Sequence, residues 1–417
     1  MLIKHEHRCF SLQLLSCIKI SVFKLHNIFV PTGRKIKFKV VPMRIGIEAQ
    51  RIFRPKKHGM EVVALELIRQ LQESDKKNEY IIFAKEDTDI GCLKETENFK
   101  IETIPAYSYA DWEQIQLPKA VKKSKIDFLH STCNTSALWQ SNPLLLTLHD
   151  IIYLEKVDFK GTAYQNFGNL YRRFVVPKVI NKSTSIITVS HFERNTILEQ
   201  LRLPEEKVQV VYNAVSDIFH SHYPVEQVED FKSKHQIPEK FMLFLGNTAP
   251  KKNTKGVLSA YVEYCQCTKD PVPIVILDHD RSHVLAFLSE FNKKHLIPHF
   301  VFPGYVAPQQ MPMMYNAAAV FLYPSLRESF GLPILEAMAC GTPVITSTTS
   351  SMPEVAGGAA LLVDPYKEKE IAEGIQKLLS DDNYYTDLVA KGLKRAADFT
   401  WKSSAKALLS IYDTFDN

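Results

Sequence analysis

Two glutamates, Glu328 and Glu336, are separated by seven residues around the stretch Ser329-Phe330-Gly331-Leu332-Pro333. A carboxylate accepts two hydrogen bonds at once, so acids of this kind suit pairs of neighbouring hydroxyls. Pro333 fits the first position of a helix, where its missing N–H costs nothing. Phe330, Gly331 and Leu332 then present N–H groups at a positive helix end, where a diphosphate can bind. On this spacing Glu336 falls in the first turn of the helix and Glu328 on the loop before it. The plainer alternative is that the two acids only complement the helix dipole.

Three other groups could carry chemistry. Lys251 and Lys252 follow the apolar run Leu243–Leu245 and Gly246, and two cations just past a strand end can neutralise charge on a leaving diphosphate. A solvated surface pair is the competing reading. His149 stands at the carboxyl end of Leu144-Leu145-Leu146-Thr147-Leu148, where α/β folds build their sites and where an imidazole can bond a hydroxyl or a developing charge. An isolated histidine is otherwise more often structural. Asp278-His279-Asp280 could hold a divalent cation on a diphosphate, as in single-domain enzymes.

These residues need a scaffold, and the chain has the material for one. It has 417 residues, 45% hydrophobic and 23% charged, which is long for one domain and predicts two. From Met43 onward, short runs rich in Ile, Val and Phe alternate with helical stretches, the pattern of parallel sheets covered on both faces. The expected strands of the first series are 44–48, 80–83, 127–130, 144–148, 185–189 and 208–211, with a helix over 60–71 whose Val63, Leu67 and Leu71 share a face. After a polar connector at 220–238, a second series runs through 241–245, 273–277, 299–302, 320–323, 344–346 and 360–363. Its helices fall near 256–267, 333–339 and 368–379. The fold class is therefore α/β, two doubly wound units, with one ligand site in the crevice between their strand ends.

Composition excludes other classes. The net charge of +5 comes from residues 1–42, with eight Lys/Arg against Glu6; the rest has 43 Lys/Arg against 45 Asp/Glu. No basic motif interleaved with aromatics appears, so nucleic acid is not an expected partner. The seven cysteines are scattered and odd in number, which fits reduced thiols. No apolar run reaches the ~18 residues of a spanning helix. Cytoplasmic residence is the expectation, and residues 1–42 read as an upstream start or a loose, disordered tail.

The segment Phe321–Pro343, FLYPSLRESFGLPILEAMACGTP, resembles the retaining glycosyltransferases of family 4, the "glycosyl transferases group 1", which have the GT-B architecture of two Rossmann-like domains facing across a cleft. The resemblance covers most of 43–417 and implies domains at 43–220, on the acceptor side, and 221–399, binding the nucleotide sugar. A C-terminal helix over 400–417 would return to the first. It further implies that Glu336 holds the nucleotide ribose, Glu328 a donor-sugar hydroxyl, and His149 the sugar near its reactive carbon. Phe330, Gly331 and Leu332 would meet the diphosphate, and the turn Gly304-Tyr305-Val306 the base through its backbone. Leu243–Asn253 is similar to the family's strand, glycine turn at Gly246 and basic pair, with Lys251-Lys252 where Arg-Lys is usual. Ser190, in Ile187–Glu193, is placed near the donor phosphate or acceptor.

Two positions depart from the pattern. A glycine loop near the first strand keeps Gly59 but has Glu61 in place of its second glycine, and a carboxylate there would repel phosphate and turn the loop toward the acceptor. Ala214 also replaces a common glycine.

The implied activity is transfer of a hexose, mannosyl or glucosyl, from a GDP- or UDP-sugar to a hydroxyl, with retention, no metal and no cofactor. A saccharide or lipid-linked acceptor, bacterial surface-polysaccharide or glycolipid synthesis, and peripheral contact with the inner face of the cytoplasmic membrane follow from the same resemblance. A sugar-nucleotide epimerase of this architecture and an inactive nucleotide-sugar-binding subunit remain as alternatives.

Overall fold

The computed structural model describes residues 41–155 and 163–416. The expectations for the segment before residue 41 lie outside these.

Two open, all-parallel sheets form the framework. The first contains β1 (Arg44–Glu48), β2 (Glu79–Ala84), β3 (Phe99–Thr103), β4 (Phe128–Ser131), β5 (Leu144–Thr147), β6 (Ser185–Thr188) and β7 (Val208–Val210), in the order β3-β2-β1-β4-β5-β6-β7. The second contains β8 (Met242–Leu245), β9 (Ile274–Leu277), β10 (Phe300–Val301), β11 (Val320–Tyr323), β12 (Val344–Ser347) and β13 (Leu361–Val363), in the order β10-β9-β8-β11-β12-β13. Both orders reverse beside the first strand of the unit, which is the crossover pattern of Rossmann-like folds and confirms the expected class. Central strands are buried along their whole length because helices cover both faces: all four residues of β5 and of β11 are buried.

β3 was not anticipated. Its sequence FKIET alternates, and only Phe99 is buried, as fits a sheet edge with one wet face. Phe99 stacks on Tyr80 at 4.0 Å between ring centroids, which ties this edge to β2.

Helix Gly59–Ser74 buries Val63, Leu67 and Leu71 as the periodicity predicts, together with Ala64 and Ile68. The last helix, Trp401–Tyr412, packs against it. Tyr412 OH and His130 Nδ1 are hydrogen-bonded at 2.6 Å, and His130 Nε2 meets Thr147 Oγ1 at 2.8 Å, so the end of the chain is fastened to β4 and β5. Burial holds the His130 pKa down at about 3, so the ring is neutral.

The core continues from one sheet to the other. Tyr212 packs edge-on against Phe399 at 5.5 Å and tilted against Phe330 at 6.0 Å, and Val215 N donates to Phe399 O at 3.2 Å. The two strands of chain that cross between the units therefore run side by side.

Candidate active site

The loop after β11 and the helix it enters supply the acids. Gly331 caps helix Leu332–Ala339 with φ of +100°, a left-handed conformation that a side chain would strain. Leu332 is the first helical residue and Pro333 the second. That shift of one corrects the expected frame and leaves Glu336 in the second turn rather than the first. The helix dipole therefore does little for Glu336. Its carboxylate accepts from Tyr315 OH at 3.1 Å, and desolvation by the surrounding protein raises its pKa from 4.5 to about 7.

Glu328 and Lys252 come together. Lys252 Nζ donates to Glu328 Oε1 at 2.7 Å and to Tyr323 OH at 2.9 Å. An ammonium has three protons, so one remains for an anion after these two bonds. The backbone at Glu328 is fixed by Ser350 and Ser351, whose hydroxyls donate to its carbonyl at 2.5 and 2.9 Å. Lys251 takes part through its carbonyl, which accepts from Leu326 N at 2.8 Å, and so joins the basic turn to the acidic loop. Asn253 extends that strap, donating to Pro324 O and Pro365 O at 3.0 and 2.8 Å.

Gly246 marks the end of β8. A Cβ there would lie 2.6 Å from His279 Cβ and 3.0 Å from Leu277 O, so only glycine lets the β8 and β9 ends approach this closely. Asp278 and Asp280 are exposed on the neighbouring turn. Among the described residues no group of three His, Cys, Asp or Glu gathers to hold a metal. Val306 turns its side chain into the core, while Tyr305 beside it is exposed and lies under Lys56, 5.7 Å from the ring centre.

From the first unit, His149 sits at the carboxyl end of β5, buried. Its backbone N donates to Asn134 Oδ1 at 2.8 Å, and its Nε2 donates to Thr132 O at 3.0 Å. That bond assigns the proton to Nε2 and leaves Nδ1 an acceptor, suited to a sugar hydroxyl. Burial lowers its pKa, so the ring is neutral.

Ser190 reaches across the cleft: its hydroxyl donates to Ser329 O at 2.7 Å while accepting from Glu193 N as the cap of helix His191–Leu201. Three groups that sequence reasoning missed close the same corner. Ser329 Oγ donates to Asp150 Oδ2 at 3.3 Å, Arg327 pairs with the fully buried Glu193, and Glu354 accepts from His191 N and Phe192 N at 2.8 and 2.9 Å. Each partner is more than 130 positions away in sequence, and no local pattern marks such pairs.

At the Gly59 loop, Glu61 is engaged by its own segment. Its Oε2 accepts from His58 N at 2.8 Å, closing the start of helix Gly59–Ser74, and Arg51 and Arg54 lie 3.8 and 3.9 Å from Oε1. The carboxylate is spent on the helix end and on two guanidinium groups. The Cβ position of Gly59 is open.

Comparison with known families agrees with this layout. Residues 58–219 match the model "Glycosyltransferase Family 4" and residues 226–395 match "Glycosyl transferases group 1". The chain belongs to the group 1 glycosyltransferases. Within this family, the chain is 32% identical over 235 residues to the O-antigen chain mannosyltransferase B of Escherichia coli, a match covering 56% of this chain and 61% of the relative. The matched stretch is thus less than two thirds of that curated relative. Among solved structures, sucrose-phosphate synthase from Thermosynechococcus elongatus superposes with a TM-score of 0.69 at 18% identity, over 89% of this chain and 98% of the other. Anabaena HepE in complex with UDP and glucose gives 0.67 at 18% identity, over 89% and 99%. At such identities the likeness shows the GT-B fold. No helix among the described residues is long and apolar enough to cross a membrane.

Proposed function

We propose that the protein transfers a hexosyl group, mannosyl by analogy with its O-antigen relative, from a nucleotide-diphosphate sugar to a hydroxyl of a saccharide or lipid-linked acceptor, with retention of configuration. The observation that carries this reading is the joining of Lys252, Glu328 and Tyr323 in one cluster, beside the glycine-capped helix that bears Glu336. Glu336 receives the ribose hydroxyls, and the N–H groups at Phe330–Leu332 receive the diphosphate. Glu328 keeps Oε2 for a donor-sugar hydroxyl, and His149 Nδ1 accepts from another.

As the bond from the anomeric carbon to the diphosphate oxygen breaks, negative charge gathers on the leaving group next to Lys252 and Lys251. Groups fixed in place before the reaction stabilise that charge without reorganising. The acceptor oxygen bonds to the anomeric carbon from the face the diphosphate leaves, and its proton passes to the departing phosphate oxygen. No separate base is then needed. The UDP-glucose bound by one similar structure and the mannosyltransferase relative make GDP- and UDP-hexoses the panel to try. A specific donor raises the melting temperature by mass action. The reading fails if no GDP- or UDP-hexose shifts the melting temperature, or if a bound donor is converted to an epimer with no acceptor present.

A further inference from the structure

The carboxyl edge of the first sheet holds polar groups for which the donor chemistry has no use. β1 ends at Glu48, and Gln50 follows; both are more than nine-tenths buried, at 3% and 4% exposure. Glu48 Oε1 accepts from Gln50 N at 3.0 Å. Among the described residues, Glu48 Oε2 and Gln50 Nε2 have no hydrogen-bond partner. An unpaired buried polar group is costly, and native proteins leave few of them without a use.

The neighbouring Glu113 shows what a finished carboxylate looks like here. It lies on one turn of π-helix, Trp112–Gln116, a distortion found mostly at functional sites. Tyr109 OH donates to it at 2.9 Å and Gln114 Nε2 at 2.8 Å, and the hydroxyls of Thr135 and Tyr171 also bond it. Glu113 is saturated, whereas Glu48 is held at one oxygen and open at the other.

Thr132 links this corner to the proposed transfer site. Its N and Oγ1 donate to Glu48 O at 3.3 and 2.8 Å, and its carbonyl accepts from His149 Nε2. Through Thr132, the backbone of Glu48 is therefore joined to the histidine assigned to the donor sugar. The unpaired carboxyl is an acceptor and the unpaired amide a donor, which is what two adjacent hydroxyls of one sugar ring require.

The geometry points to Glu48 and Gln50 as the acceptor subsite, taking neighbouring hydroxyls of a neutral saccharide. This inference rests on the glycosyl-transfer reading. A neutral sugar fits because Glu48, Glu61 and Glu113 stand against Arg51 and Arg54, which both lie at Glu61. Three carboxylates against two guanidinium groups leave an excess of negative charge, which disfavours an anionic sugar.

The test uses the full chain, the nucleotide sugar that binds it, and methyl α-mannoside, methyl α-glucoside and methyl glucuronide as acceptor probes. Glu48→Ala and Gln50→Ala should each raise the acceptor KM tenfold or more while the donor Kd, measured by calorimetry, stays within twofold. Glu48→Gln keeps the side-chain volume, carries the test if the alanine variant does not fold, and should show an intermediate KM. Acceptor KM values equal to those of the unmodified protein overturn the subsite. So does a parallel loss of donor affinity, or a preference for the glucuronide or for none of the three probes by a protein that binds its donor. If no nucleotide sugar binds at all, the transfer reading fails and takes the subsite with it.

Discussion

Lys252 Nζ lies 2.7 Å from Glu328 Oε1, across 76 positions of sequence. The side chains are about 24% and 10% exposed, so this is a half-buried ion pair rather than a surface one. Lys252→Ala should depress kcat by more than it weakens donor binding, because charge on the diphosphate is greatest in the transition state. It should also lower stability, since Glu328 would be left with an unpaired charge. The double variant Lys252→Met/Glu328→Gln should recover melting temperature without recovering turnover. If the single variant weakened donor affinity and left kcat intact, Lys252 would be a ground-state binder only.

Glu336→Gln keeps the shape of the side chain and removes its charge. A hydrogen bond to a charged group is worth roughly 1.5–3 kcal/mol, so donor affinity should fall about tenfold to a hundredfold. The pH dependence follows from the same group. With its pKa raised to about 7, the unliganded carboxyl is mostly protonated at pH 6 and mostly ionised at pH 8. Donor affinity should therefore rise with pH across this window, by roughly tenfold in total, and the rise should vanish in Glu336→Gln. A pH-independent Kd in the unmodified protein would remove the ribose assignment.

Glu48 makes a stability prediction of definite sign. Burial raises its pKa from 4.5 to about 7, so the fold favours the protonated form. That stabilising share is complete below pH 4.5 and is lost as pH rises through 7. Glu48→Gln should thus differ little from the unmodified protein near pH 4.5. It should gain on it toward pH 8, by an amount no greater than roughly 3 kcal/mol. Urea midpoints at several pH values measure it, and a gap that narrows with rising pH would contradict the assignment.

Arg327 and Glu193 offer a test of how the cleft corner is held. Glu193 is fully buried, so Arg327→Ala should cost about 3–5 kcal/mol, while replacing both by Met and Gln should recover most of it. An Arg327→Ala loss below about 1 kcal/mol, read from urea unfolding, would show that the pair does not hold the corner.

What the sequence revealed and what it hid have separate causes. β5 and β11 could be read because a strand buried on both faces is a plain apolar run between turns. β3 could not, because an edge strand with two charged residues in five has no such run. Glu328, Glu336 and His149 could be picked out by resemblance and by their place at strand ends. The Lys252–Glu328 bond, the clamp of Glu354 on the helix after Ser190 and the open atoms of Glu48 and Gln50 depend on which distant segments meet. The capping role of Glu61 is a local feature without a plain signal: His58 and Glu61 stand at capping-box spacing, but histidine is not among the usual capping residues.

Because Trp401–Tyr412 lies on Gly59–Ser74 and Tyr412 is bonded to His130, the first unit lacks part of its packing until residues 401–412 have been made. During synthesis, at about 5–20 residues per second, the early half must wait ten seconds or more with that packing incomplete. A ribosome stalled anywhere before Trp401 would carry an unfinished first unit. For this architecture, the first unit is completed only after the second has been made.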